Sequence, residues 1–83
     1  MTQVYKIPLV LTRQPEGGYI VTSPLVPELV TEGDTLHDAL QHVQDAVLAV
    51  VELYEDLGKA LPASIRQPAE ADQVQFEYAV AVP

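Results

Sequence analysis

The sequence predicts an α+β fold: a β-β-β-α-β chain forming a two-layer sheet plus one long helix. Three observations carry that reading. Between Gly33 and Gly58, the apolar residues Leu36, Leu40, Val43, Val47, Val50, Tyr54 and Leu57 recur at spacings of three and four. That spacing places them on one face of a helix. Ahead of it, residues 4–11 and 19–23 are rich in β-formers and flank a glycine-containing turn. Behind it, Val74, Phe76, Tyr78, Val80 and Val82 alternate with Gln75, Glu77, Ala79 and Ala81. Strict alternation is the signature of a strand with one covered face.

Residues 4–11 make the first predicted strand, with Tyr5, Ile7, Leu9 and Leu11 on one face. Pro8 cannot donate a ladder hydrogen bond, so it marks an edge or a bulge. Residues 13–18 form a turn in which Pro15 presets one backbone angle and Gly17-Gly18 admit the opposite sign. Residues 19–23 return as the second strand, making a hairpin. Pro24 and Pro27 bracket a stiff, extended link. Residues 28–32 read as a short third strand, and Gly33-Asp34 turn the chain into the helix.

Thr35 is a good N-cap, because its hydroxyl can accept from a free N–H of the first turn. Asp38 roughly completes a capping box and suits the positive end of the helix dipole. Gly58 can take the left-handed conformation that ends a helix, and Pro62 forbids continuation. Residues 59–73 show no periodicity and read as a long connection to the final strand, residues 74–82.

Eighty-three residues are read as a single domain spanning 1–83. A chain of this size buries only about 60–65% of its unfolded surface. It has no cysteine, so neither a disulfide nor a thiolate–zinc site can staple it. Self-association would relieve that thin margin, and at least a dimer is expected. Twelve acidic residues against four basic ones give a formal charge of −8. So few cations cannot neutralise many phosphates, which argues against direct nucleic-acid binding. An acidic surface suits solubility or a basic protein partner. The N-terminus lacks the pattern of a secretory signal, and the longest apolar run, residues 46–51, is far short of a bilayer span. A cytoplasmic protein with no membrane partner is expected.

Chemistry is sparse. Asp38, His42 and Asp45 can share a helix face and are residue types that bind zinc. That face is solvated, and no metal or other cofactor is expected. Ser23 and Ser64 lack a G-x-S-x-G context. Glu52/Asp56 and Glu55/Asp56 read as the polar side of a helix. No catalytic residue is assigned, and the chain is expected not to be an enzyme. Binding surfaces are better candidates. Glu28, Glu32, Asp34 and Asp38 crowd the third strand and the start of the helix, while Glu52, Glu55 and Asp56 crowd its end. From these, Glu28, Glu32, Asp34, Glu52 and Asp56 are the candidate partner-binding residues. Sheet edges, the last strand above all, are a second candidate. Tyr5, Tyr19, Tyr54 and Tyr78 are candidate apolar anchors.

An ordered set of motifs then resembles a known family. Gly17-Gly18-Tyr19-Ile20-Val21, Pro24-x-x-Pro27, Val30-Thr31-x-Gly33-Asp34-Thr35, Ala39-Leu40 and Gly58-Lys59-x-Leu61-Pro62 are similar in order and spacing to the HicB antitoxin family. The resemblance marks Gly17, Gly18, Pro24, Pro27, Gly33, Asp34, Thr35, Gly58 and Pro62 as motif positions. It implies a reduced RNase H-like fold without its active site. It also implies an antitoxin of a type II toxin-antitoxin system that occludes a small basic, mRNA-cleaving toxin of the HicA type. Leu25 stands where the family often has Asp, and Glu28-Leu29 replace the usual Gly-Cys. Many members carry an additional DNA-binding domain; this chain is expected to be a short, stand-alone HicB-like or UPF0150-type protein without one. The alternatives are a non-catalytic, homo-oligomeric interaction or scaffold protein without a toxin partner, and a metal-dependent hydrolase using Asp38, His42 and Asp45.

Overall fold

The computed structural model describes residues 3–67 and 73–83. It is an α+β arrangement of small antiparallel sheets and one long helix. The strands are β1 (Val4–Tyr5), β2 (Val10–Arg13), β3 (Tyr19–Thr22), β4 (Val30–Gly33) and β5 (Arg66–Gln67), and the helix is α1 (Leu36–Leu57). Strands β2, β3 and β4 form an antiparallel meander in sequential order, while β1 pairs with β5 in a separate two-stranded ribbon.

The hairpin between β2 and β3 closes as its glycines require. Gln14 N donates to Gly18 O and Gly17 N to Gln14 O, both at 3.0 Å. Gly17 and Gly18 sit at φ 102° and 82°, where a side chain is strained. The register then runs Leu11 to Val21 to Thr31 across the meander. Val21 is fully buried at the centre of the covered face.

Helix α1 starts and stops where its caps dictate. Thr35 is extended and its side chain accepts from Asp38 N at 3.1 Å. Gly58 is left-handed at φ 66°, its N–H donates to Glu55 O, and Lys59 N donates to Tyr54 O. The start of α1 lies directly on β4. A Cβ built on Gly33 would stand 2.3 Å from Ala39 N, and Ala39 is fully buried. Further along, Val50 and Tyr54 join Val26, Leu29 and Ile65 in the core, with Tyr5, Ile7, Leu9, Ala46, Val47 and Leu61 packed around them.

The structure corrects the expected elements in four places. Residues 4–11 are not one strand: residues 6–9 leave the ladder between β1 and β2, as Pro8, with no N–H to give, permits. The third strand begins at Val30 and not at residue 28, because Leu29 N turns back onto Val26 O at 3.0 Å. Within the expected connector, Ala63–Ile65 form a 3-10 turn and β5 follows it; Ile65 is a core residue. Residues 74–82 are not assigned as a strand: residues 73–83 are exposed and hydrogen-bonded to no strand among the described residues. The edge of β1 is already engaged by β5. Of the helix stripe, Leu57 is exposed and Ala39 takes a buried place instead. The rest of the connector, residues 68–72, lies outside the described residues.

Candidate partner-binding surface

The clearest polar constellation joins the loop before β4 to the far end of α1. Tyr54 lies on the inward face of α1, one turn before Gly58, and is buried. Its hydroxyl donates to Glu28 Oε2 at 2.5 Å. Lys59 Nζ lies 3.9 Å from Glu28 Oε1 and 5.0 Å from the centre of the Tyr54 ring. The Tyr54 hydroxyl, Glu28's own backbone N–H and the Lys59 charge hold the Glu28 carboxyl below its usual pKa. The same hydrogen bond pushes the Tyr54 phenol up. The Lys59–Glu28 contact is loose and half-exposed, so the Tyr54 hydrogen bond is the stronger tie.

This geometry reassigns Glu28. Sequence placed it with Glu32, Asp34 and Asp38 near the start of α1. The structure places it beside Tyr54 and Lys59, at the end where Glu52, Glu55 and Asp56 also stand. Glu32 and Asp34 remain exposed at the other end, on β4 and in the turn after it. The two acidic groups are therefore separated by most of a helix that spans about 33 Å at 1.5 Å per residue. Lys59 is the residue that sequence reasoning did not connect with this site. Its signal was its position directly after the helix-ending Gly58, where a cation meets the negative end of the dipole.

Glu52, Glu55 and Asp56 are exposed over the last two turns of α1, and no basic residue lies in its last turn. Carboxylates at the C-terminal end of a helix oppose its dipole. Glu52 and Asp56, four residues apart, also repel one another. Lys59 is drawn toward Glu28 and Tyr54. The end of α1 thus concentrates negative charge, and among the described residues none of Glu52, Glu55 and Asp56 has an ion-pair partner.

At the start of α1, His42 Nδ1 lies 2.6 Å from the Glu32 carbonyl, so the ring donates through Nδ1. Among the described residues, no three His, Cys, Asp or Glu side chains converge as a metal shell would. A shallow hollow between α1 and the loops is lined by Ile7, Val26, Leu29, Val47, Val50, Val51 and Leu61, all hydrocarbon. Of the candidate anchors, Tyr54 is core, Tyr5 and Tyr19 are half-buried, and Tyr78 is exposed. No helix among the described residues is long and apolar enough to cross a membrane.

The motif positions do backbone work. Gly17 and Gly18 make the hairpin turn, Gly33 admits Ala39, Thr35 and Gly58 cap α1, and Pro62 precedes the 3-10 turn. Pro24 and Pro27 bracket buried Val26, and Asp34 lies exposed between Gly33 and the cap.

No family model matches the chain. It is 34% identical over 76 residues to antitoxin HicB 1 of Photorhabdus laumondii, an alignment covering 92% of this chain and 48% of that protein. It is 35% identical over 57 residues to antitoxin HicB of Escherichia coli K12, covering 69% of this chain and 41% of that protein. A UPF0150 protein of Thermoplasma acidophilum is 28% identical over 57 residues, 69% of this chain and 83% of that one. The chain thus spans less than half the length of each of these two HicB relatives.

Proposed function

Since the chain belongs to the HicB antitoxin family, we propose that it is the toxin-binding antitoxin module of a type II toxin-antitoxin system. In this reading it neutralises a small basic, mRNA-cleaving toxin of the HicA type by covering it, and performs no chemistry itself. The observation that carries the reading is the acidic end of α1, where Glu52, Glu55 and Asp56 are unpaired among the described residues, on a chain of net charge −8. A cationic partner docked there would satisfy both the carboxylates and the helix dipole. Complementary charge of this kind sets association rate and orientation, while an apolar contact sets lifetime. The same charge disfavours direct nucleic-acid binding. The protein works in the cytoplasm, where an mRNA-cleaving toxin acts. The β2-β3-β4 meander covered by α1 supports, at a finer level, a reduced RNase H-like fold.

Charge reversal separates the two acidic ends. Glu52→Lys with Asp56→Lys is expected to slow association with the toxin at low salt by at least tenfold. Glu32→Lys with Asp34→Lys tests the opposite end in the same assay. Unchanged kinetics in both pairs would remove the acidic surfaces from the account. A second reading, a non-catalytic homo-oligomeric interaction protein without a toxin partner, is favoured by one observation: the exposed apolar residues of residues 73–83. Stable self-association with no binding to a HicA-type protein would select it.

A further inference from the structure

Residues 73–83 carry the pattern of a strand and have no strand partner among the described residues. Val74, Phe76, Tyr78, Val80 and Val82 are between 45% and 82% exposed. Such a segment is matched by an open sheet edge. In the meander, β4 has α1 packed along it, and its Glu32 carbonyl is taken by His42. Among the described residues, the free side of β2 has no such cover, and β3 is its one strand partner. Gln14 N bonds to Gly18 O at the turn. Antiparallel alternation then directs Thr12 and Val10 toward β3, and turns the N–H and C=O of Leu11 and Arg13 to the free edge.

Chain direction says whose edge is reached. Strand β5 is antiparallel to β1, with Arg66 beside Tyr5 and Gln67 beside Val4. At Gln67 the strand therefore points away from residues 6–9, which lead into its own β2. A second copy can meet the segment without that reversal. Charge sets a register. Glu77 is the one charged side chain in residues 73–83, and Arg13 is the cation of β2. Antiparallel pairing of Glu77 with Arg13 puts Ala79 opposite Leu11, Tyr78 opposite Thr12 and Val80 opposite Val10. Val10, itself 50% exposed, gains an apolar cross-strand neighbour.

We propose that residues 73–83 are an exchange arm that adds as an antiparallel strand to the free β2 edge of a second copy of this chain. Each copy gives one arm and receives one, which closes a two-fold dimer and leaves neither β2 edge open. The inference concerns this chain alone and stands whether or not the toxin reading holds.

The chain has no cysteine, so introduced thiols report cleanly. T12C and Y78C chains are mixed, oxidised mildly and mapped by peptide mass, with E52C and Y78C chains as the control. The expected result is a Thr12–Tyr78 link between two chains, at least tenfold above the control. No excess over the control would overturn the proposal. So would closure within one chain by the doubly substituted T12C/Y78C protein at high dilution. Ala79→Pro removes the N–H aimed at Leu11. It is expected to weaken the dimer at least tenfold, moving the solution mass toward the 9.1 kDa of one chain, with the helical signal retained. A helical A79P protein with undiminished dimer affinity would equally overturn it.

Discussion

At the residue scale, two positions decide more than their size suggests. Gly33 is required by a close approach and not by its backbone angle, since a Cβ there would stand 2.3 Å from Ala39 N. Gly33→Ala forces α1 off β4, and overpacking of this kind costs about 1–3 kcal/mol. In a domain this small, each kcal/mol lowers Tm by about 4–8 °C, so thermal melts will read the loss directly. The second position is Tyr54. Its hydrogen bond holds the Glu28 pKa below the usual value. Stability from the ionised Glu28 is therefore fully present above the unfolded carboxyl pKa. It is lost as pH falls through the lower, folded one. Tyr54→Phe is expected to lose most at neutral pH and to converge on the parent in acid. A urea series from neutral pH down through the carboxylate range checks this, and a pH-independent gap would show that Glu28 does not contribute through its charge. The phenol has the opposite sign: its raised pKa gives stability that disappears as pH rises through the folded value.

At the element scale, α1 was almost wholly legible in the sequence. Its caps, Thr35 and Gly58, and its apolar period are local chemistry, and local chemistry fixed both ends. The connector was not legible. Ile65 and β5 occupy a stretch without periodicity, and what orders them is distant in sequence: Lys6 N donates to Ile65 O at 2.7 Å, and β5 pairs with β1. Ile65→Ala should cost about 2–5 kcal/mol, as truncations of buried aliphatic side chains do, although sequence alone would class the site as loop. Equilibrium denaturation tests it. The acidic end of α1 yields a prediction with opposed signs. Asp56→Lys relieves repulsion at the dipole's negative end and should stabilise the free protein by about 0.3–1 kcal/mol. The same substitution should weaken the complex with a basic toxin. A variant that gains stability while keeping full affinity would show that the carboxylate is ordinary surface.

At the scale of the whole molecule, the β2-β3 hairpin, β4 and α1 followed from patterning and turn residues, while the division of residues 4–11 between two sheets did not. What patterning cannot settle is which chain a strand joins. The alternation of residues 74–82 predicts a strand that the chain by itself does not pair, because alternation carries no information about a partner. The acidic surface was equally visible as composition. Its division between the two ends of α1 required the fold, because only the fold brings Glu28 beside Tyr54 and away from Glu32. The central claim concerns what that surface does. The most direct measurement co-expresses this chain with a small basic protein of the HicA type, purifies by a tag on one partner, and assays mRNA cleavage. The account predicts a stable complex in which cleavage is suppressed, and its return when Glu52→Lys and Asp56→Lys are introduced together. A folded chain that neither captures that protein nor slows its cleavage of mRNA would contradict it.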